Sequence, residues 1–495
     1  ASGCGHAAVD CDDQNACTTD TCDKLTGCRN DYACDDGNAC TTDTCDKSAG
    51  CGHADLTCWD GNACTTDTCD PGKGCVFPEI HPCCGDALVE APETCDPGDA
   101  GADLCGDTCE SVTLLLEGEG RAPAAAGDAD GGALACERVA LGRMGVRVRL
   151  VDDHGKLGQI HNIEGPSWAP ESGGPRPVLA PLLPGTFLLG AYVRLEAPPD
   201  AFAVKLTPIT EEGPVIQEPV HIPLAKKPGS GIFLDVSGST GIVTWGEGNT
   251  GGNDQDALWA RISLGGTKAT PGPATRVVPE GRRSLPGGAC AGPEAHVVVW
   301  VEDAGMDIID SVTRVLPNGD VDTYELAKFK ADMPIPPRCT AAAEGFLAVW
   351  GDIGEWGGKQ AFRLWSRKLD AYGLPAGKAA VSIGQWDAFS DYACYPWLAS
   401  VARTGTGFAV AVACGAVAAD QPVSMKIELW RLDQDGKPVD GSPEVVPGQE
   451  GPFAIDVASA WGPGTSALVA WQETVSVSDS SLPWSPIRVR ALGQF

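Results

Sequence analysis

The residues of this chain best placed to do chemistry are its cysteines. Of 23 in 495 residues, 18 fall between Cys4 and Cys109. Thiols at that density either cross-link or hold zinc, and zinc sites favour paired CxxC knuckles, often with histidine. Spacings here are mostly five, six or seven residues, so oxidative pairing is the expected chemistry. Cytosolic thiols are kept reduced, and such a framework therefore implies a secreted, extracellular or cell-surface location. The expected bridged set is Cys4, Cys11, Cys17, Cys22, Cys28, Cys34, Cys40, Cys45, Cys51, Cys58, Cys64, Cys69, Cys75, Cys83, Cys84, Cys95, Cys105 and Cys109. Cys394 and Cys414, which flank a turn near Gly405, join them as a bridge within one sheet. Cys290 and Cys339 occupy similar strand positions in successive units and either pair or stay as buried small apolar groups, and with Cys136 the odd number leaves at least one thiol free unless it joins another chain.

The second candidate chemistry is oxygen ligation. Asp, Asn and Asp recur together as Asp13, Asn15 and Asp20, as Asp36, Asn38 and Asp43, and as Asp60, Asn62 and Asp67. That rhythm is partly that of a Ca2+ loop, although no Glu closes it. The competing reading is that Asp and Asn cap turns between the bridges. Beyond these, no nucleophile elbow, HExxH, P-loop or dinucleotide fingerprint is present. Seven histidines, of which His6, His53 and His81 lie in the cysteine-rich arm, supply little acid or base machinery. No enzyme is expected on these grounds. Glu247, Asp303, Asp352 and Glu473 each follow an apolar strand and would either form a carboxylate collar for a cation or basic partner or stand as solvated loop residues of an acidic protein. Trp356, Trp386, Trp397 and Trp484 would either stack on sugars or pack between sheets.

The elements that carry these residues fall into two kinds. Three units align as Cys11-DDQNA-Cys17-TTDT-Cys22-DKLTG-Cys28, Cys34-DDGNA-Cys40-TTDT-Cys45-DKSAG-Cys51 and Cys58-WDGNA-Cys64-TTDT-Cys69-DPGKG-Cys75, with a period of 23 to 24 residues. Each has too few apolar residues to fold unaided, so cross-links must replace a core and little regular secondary structure is expected. Ser2-Gly3-Cys4-Gly5-His6-Ala7 matches the repeat tail Ala49 to Ala54, so the chain is expected to begin inside a repeat, with further units upstream. Cys4 with Cys11 is then the remnant of an earlier unit, and later cysteines group in fours beginning Cys17, Cys22, Cys28 and Cys34. Three connectivities are open within each four. The Thr-Thr-Asp-Thr run would accept O-linked sugar, whereas no Asn-X-Ser/Thr sequon occurs.

The motif CDDGNACTTDTCDKSAGC and its two copies resemble the short Cys-rich repeats of slime-mould extracellular-matrix proteins and of secreted myxobacterial surface proteins. The segment from Cys84 through Cys95 and Cys105 to Cys109 resembles a second myxobacterial disulfide repeat, departing from it at Pro97-Gly98 and in a shortened middle. These resemblances imply a location and an architecture, not an activity.

Past Cys109 apolar runs broken by Gly, Pro, Asn and Asp signal many short strands. A glycine and an apolar strand ending in Trp245, Trp300, Trp350 or Trp471 begin a cassette that recurs roughly every 50 to 60 residues. A second strand, a Gly-containing hairpin such as Asn318-Gly319 or Asp435-Gly436, and a last short strand complete it. The fold class is thus all-β: small disulfide-rich repeats in 1–83, a second Cys-rich module in 84–109, and a seven-bladed β-propeller in 110–495, with a β-sandwich pair or a six- or eight-bladed ring as the rivals. The last unit stops one strand short, and Ser111–Glu117 is expected to close it.

The formal charge of −32 is uneven, since residues 1–110 hold 23 Asp or Glu against four Lys or Arg. That repels nucleic acid and anionic lipid. No run of 18 apolar residues exists, so no membrane span is expected. The reading is an extracellular structural or adhesive protein, a stapled stalk or polymerising arm with a propeller head. Its partners would be itself, other surface or matrix proteins, or glycans. The alternative is a lectin-like propeller that binds carbohydrate or another ligand.

Overall fold

The computed structural model describes residues 9–60 and 65–80 and, between 114 and 492, the strands with most of their connections. The chain forms two compact units, Ala1–Asp86 and Ala87–Phe495. Among the described residues every regular element is a strand.

In the amino-terminal unit each repeat is a β-hairpin, which corrects the expectation of little regular structure. Thr18–Asp23 pairs with Gly27–Tyr32, Thr41–Asp46 with Gly50–Asp55, and Thr68–Asp70 with Gly74–Val76. The β-branched threonines favour the extended backbone, and the aspartate after the third cysteine shapes the turn. Asp23 Oδ1 accepts the Leu25 and Thr26 N–H groups, both at 2.8 Å, and Asp46 Oδ1 accepts those of Ser48 and Ala49 at 2.9 and 2.8 Å. The turn then returns through a glycine at positive φ: Gly27 at 87°, Gly50 at 97° and Gly74 at 85°. L-residues rarely adopt that conformation, so glycine holds the position. Among the described residues no apolar core lies beneath these hairpins. The buried apolar side chains among the described residues of this unit are Cys17 and Cys34, while Leu25 is 95% exposed and Trp59 78%.

The second unit is a propeller of six antiparallel sheets. Five follow chain order, their first strands being Val178–Leu183, Pro228–Ser237, Arg283–Ala291, Arg338–Ala342 and Ala393–Arg403. The sixth has seven strands, ordered Leu157–Glu164, Arg143–Asp152, Gly131–Ala140, Leu114–Asp128, Ser485–Leu492, Ala467–Glu473 and Pro452–Val457. Its middle strand, of 15 residues, serves two partners in turn. Leu114 to Gly120 lies along Val489 to Ser485, and Arg121 to Asp128 lies along Glu137 to Gly131. The first strands touch one another in succession, from 178–183 through 228–237, 283–291, 338–342, 393–403 and 452–457 to 114–128 and back.

Alternation along each strand sends neighbouring side chains to opposite faces, and each face is sealed by the next sheet. Val243 and Trp245 pack with Leu188, Tyr192 and Leu206 of the preceding sheet. Ile242, one residue out of phase, packs with Ala291, Val298 and Trp300 of the following one. The same arrangement joins Val299 to Phe346 and Trp350, Leu347 to Val410 and Val412, and Ala409 to Trp471. Two-faced burial is why these strands read as continuous apolar runs.

Candidate functional site

In the repeats the bridges form an interlocked series. Cys11–Cys28, Cys34–Cys51 and Cys58–Cys75 join first to fourth cysteine within a repeat, at Cα separations of 5.2, 5.1 and 5.4 Å. Cys17–Cys45 and Cys40–Cys69 join the second cysteine of one repeat to the third of the next, at 5.8 and 5.7 Å. Two expectations are corrected. Cys11 bridges to Cys28 of the repeat that it opens, and the fours that begin at Cys17 and Cys40 do not close upon themselves. Cys22, expected to be bridged, is a free and exposed thiol. It faces Cys28 across its hairpin, but Cys28 is taken by Cys11. Cys4, Cys64, Cys83, Cys84, Cys95, Cys105 and Cys109 lie outside the described residues.

Backbone bonds run alongside the cross-repeat bridges. Ala16 N–H donates to the Lys47 carbonyl at 2.9 Å, and Ala39 N–H donates to that of Pro71 at 2.7 Å. The oxygen-bearing residues next to them are committed to turns. Asn15 Oδ1 accepts the Cys17 N–H at 3.3 Å and Asn38 Oδ1 the Cys40 N–H at 3.0 Å. Asp13 accepts from Asn15 N–H and the Thr18 hydroxyl, and Asp36 from Asn38 N–H and the Thr41 hydroxyl. Asp20 and Asp43 reach back to the Asp13 and Asp36 N–H groups, each at 3.3 Å. In the third repeat Asp60 accepts the Thr65 hydroxyl, Asn62 lies outside the described residues, and Asp67 is exposed. In the first two sets the Asn oxygen is thus turned back on a cysteine N–H while the two aspartates of the set stand together. The groups brought together are Asp12 with Asp13 and Asp20, and Asp36 with Asp43 and His53. His53 Nδ1 stands 2.6 Å from Asp43 Oδ1 and 3.5 Å from Asp36 Oδ2. That hydrogen bond with Asp43 raises the imidazole above its ordinary value, and the Asn38 N–H holds Asp36 below the usual carboxylate value.

In the propeller the first strands surround a cavity of about 370 Å³. Its wall is mostly small and apolar, with Asp235, Arg338, Thr340 and Ser400 as polar members. Asp235 accepts the Ala291 N–H at 2.8 Å and its neighbour Val236 at 2.9 Å. Burial among the strands outweighs these bonds and pushes its carboxyl up to about 6. Arg338 donates to the Gly287 carbonyl at 3.0 Å and lies 5.0 Å from the Phe233 ring centre. Cys290–Cys339 bridges two successive first strands beside it, with Cα atoms 6.2 Å apart. Cys394 and Cys414 bridge within one sheet, while Cys136 is a buried thiol that burial pushes up to about 11.

The carboxylate collar does not stand open. Glu247 is buried and accepts the Trp245 indole N–H and the Ala225 and Lys226 N–H groups, at 2.9, 2.9 and 3.0 Å. Asp303 pairs with Arg283 at 2.7 Å, and Asp352 holds Arg363 through two bonds of 2.6 and 2.7 Å. Glu473's side chain lies outside the described residues. Of the tryptophans, Trp386 packs edge to face against Trp430 at 6.2 Å. The side chains of Trp356, Trp397 and Trp484 lie outside the described residues. Two groups that sequence reasoning missed are Asp310 and His296. Both Asp310 carboxylate oxygens and His296 Nδ1 are buried without a hydrogen-bond partner. Burial, with Asp352 nearby, holds Asp310 well above its usual value, and burial pushes His296 down to about 4. The signal for Asp310 was an Asp in the inward phase of the apolar strand Asp307–Val315.

The three repeats match the model of the Dictyostelium (slime mold) repeat at residues 10–30, 33–55 and 57–80. They are Cys-rich repeats of the slime-mould type. No curated protein matches the chain. Among solved structures it is similar to a Penicillium chrysogenum α-L-arabinanase complexed with arabinobiose, at 11% identity and a TM-score of 0.38 over 77% of this chain and 97% of that one. It is similar to a Dyadobacter fermentans protein of unknown function at 11% identity and a TM-score of 0.40, over 77% and 98%. It is also similar to a Bombyx mori GH32 β-fructofuranosidase at 13% identity and a TM-score of 0.31, over 64% and 59%. Likeness at this level concerns the fold alone. The expectation of no enzyme, which rested on missing local motifs, is corrected: an enzyme is not excluded. The physical reason is that a ring of strands can gather acids and bases distant in sequence, so the lack of a local motif excludes nothing.

Proposed function

We propose that this chain is a structural or adhesive component of an extracellular surface or matrix, with the repeats as a covalently reinforced arm and the propeller as the unit it carries. The observation that carries the reading is the pair of cross-repeat bridges, Cys17–Cys45 and Cys40–Cys69. A bridge within a repeat stabilises that repeat, whereas one between repeats restricts how each moves against the next. Tension is then borne by sulfur as well as by backbone. Such bonds persist only in an oxidising compartment, which supports export. In this reading the seven-stranded sheet counts as two blades sharing Leu114–Asp128, giving the ring seven blades.

Electron microscopy of oxidised, purified protein tests the proposal. Filaments, or regular end-to-end contacts that dissolve in reductant, are expected. Dispersed particles that adhere to no cell-surface or matrix preparation reject it. Calcium enters at the Asp12, Asp13 and Asp20 carboxylates. Chelation that lowers protease resistance of the repeats supports that part, and unchanged resistance removes it.

The cavity lined by Asp235 and Arg338 favours a second reading, a propeller that holds a small polar ligand such as a glycan. A carboxylate and a guanidinium at one apolar wall would orient hydroxyl groups. Retention of the propeller on a glycan array, lost in Asp235→Asn, supports this, and an array without signal rejects it.

A further inference from the structure

The second repeat carries an imidazole that its neighbours lack. Asp43 and His53 face each other across the hairpin of Thr41–Asp46 and Gly50–Asp55, and Asp36 of the loop ahead of it joins them. Each carboxylate is held by the turn and keeps one oxygen toward the ring. Asp36 Oδ1 accepts the Asn38 N–H at 2.9 Å and the Thr41 hydroxyl at 3.0 Å. Its Oδ2, 3.2 Å from the same hydroxyl, stands 3.5 Å from His53 Nδ1. Asp43 Oδ2 accepts the Asp36 N–H at 3.3 Å, and its Oδ1 lies 2.6 Å from that nitrogen. One nitrogen and two oxygens are thus within 4.8 Å of one another. The side chains of His53, Asp36 and Asp43 are 35%, 31% and 22% exposed, so an ion reaches them from solvent. Cys34, Cys40, Cys45 and Cys51 around them are all bridged, which fixes the frame covalently. The first repeat has the same frame without the ring. There Asp20 again accepts the Asp13 N–H, but Asn30 stands opposite Asp20 and hydrogen-bonds to Asp13. In the third repeat the residue at that place is Phe77.

We propose that Asp36, Asp43 and His53 bind Zn2+, with water as the fourth ligand. An imidazole beside two carboxylates suits a borderline transition ion, whereas Ca2+ takes oxygen alone. Bonds of about 2.0–2.2 Å at tetrahedral angles set ligand atoms about 3.3–3.5 Å apart. Asp36 Oδ2 already stands at that spacing from Nδ1. Asp43 Oδ1 recedes by less than about 1 Å as its hydrogen bond to the ring is replaced by the metal. His53 binds as the neutral Nε2–H tautomer, and the Nδ1 proton leaves to solvent. The Asn38 and Asp36 N–H groups and the Thr41 hydroxyl hold the outer oxygens and so orient both carboxylates. The site shares no residue with the Asp12, Asp13 and Asp20 group or with the propeller cavity, and it stands whether the arm bears load or only carries a binding head.

The test is equilibrium dialysis of the whole oxidised chain against buffered Zn2+, with bound metal read by plasma mass spectrometry. The parent is compared with His53→Asn, which places the first repeat's own residue in the second, and with Asn30→His, which makes the reverse exchange. Expected is a Zn2+ ion held about tenfold or more tightly by the parent than by His53→Asn, and a further such ion in Asn30→His. An equal concentration of Ca2+ should not displace it. Equal retention by the parent and His53→Asn overturns the proposal and leaves the cluster an ion pair of imidazolium and carboxylate. Displacement by Ca2+ overturns it too, since that marks an oxygen site. Should His53→Asn alter the non-reducing peptide map, Asn30→His decides: a gained ion supports the site, and no gain overturns it. Filaments seen by microscopy alongside equal retention would reject the zinc site while leaving the structural role standing.

Discussion

Single residues in this molecule act mostly by what their polar atoms are tied to. Trp245 is fully buried and gives its indole N–H to Glu247, so Trp245→Ala removes a packed ring and leaves that carboxylate without one donor. A loss of about 3–5 kcal/mol in denaturant unfolding of the propeller is expected. Asp310 runs the other way. Its folded value lies above the ordinary aspartate value, so the native state binds the extra proton and stability falls as pH rises through the window from about 3.8 upward. Asp310→Asn should flatten that slope and leave the variant more stable at pH 7 than the parent, read from urea melts at several pH values. In the hairpin turns the sign reverses. Leu25 and Thr26 N–H groups lower Asp23, and those of Ala49 and Ser48 lower Asp46. Their contribution is complete above the unfolded value and is lost as pH falls through the folded one, so protease resistance of the repeats should drop below about pH 3.8, and earlier in Asp46→Asn. The chemistry legible at this scale was the cysteine and Asp/Asn pattern. Partner choice was not, because Asn15 turning back on Cys17 and not outward depends on a turn geometry that composition does not specify.

At the level of elements the contrast is between hairpins without a core and sheets with two. The cassette of apolar strand, hairpin turn and return strand was readable because Val297, Val298 and Val299 must satisfy neighbours on both faces, which writes an unbroken apolar run. The repeat hairpins were not readable from hydrophobic pattern, since Gly27–Tyr32 is exposed throughout and obeys sulfur and Asp-capped turns instead. Bridge connectivity was hidden for a related reason. Equal spacing makes a cysteine's partner in its own repeat and in the next look alike, and only the hairpin, which sets the third and fourth cysteines side by side, separates them. Removing the Cys17–Cys45 bridge by Cys17→Ser with Cys45→Ser should cost about 2–4 kcal/mol in resistance to unfolding and speed proteolysis between the first two repeats. The matching change at Cys11 and Cys28 should loosen only the first. Limited digestion followed by mass spectrometry distinguishes the two.

The whole propeller depends on one strand placed between its ends. Leu114–Gly120 pairs with Ser485–Leu492, and Arg121–Asp128 of the same strand pairs with Gly131–Ala140, so one seven-stranded sheet holds both ends of the propeller. The sequence indicated closure through a stray apolar strand ahead of the first cassette. The expected strand ended at Glu117, whereas the strand runs on to Asp128 and takes a second partner in the same sheet. Deleting residues 114–120 should uncover a paired edge, lower the melting temperature by several degrees in scanning calorimetry and promote association through the bared strand.

The spans closed by sulfur overlap: 11–28, 17–45, 34–51, 40–69 and 58–75. Every peptide bond between Cys11 and Cys75 therefore lies inside at least one closed ring. A single cut anywhere along that stretch cannot part the molecule, and the severed pieces would travel as one on a gel until reductant is added. An arm wired in this way tolerates a nick from a protease much as a rope tolerates one broken strand.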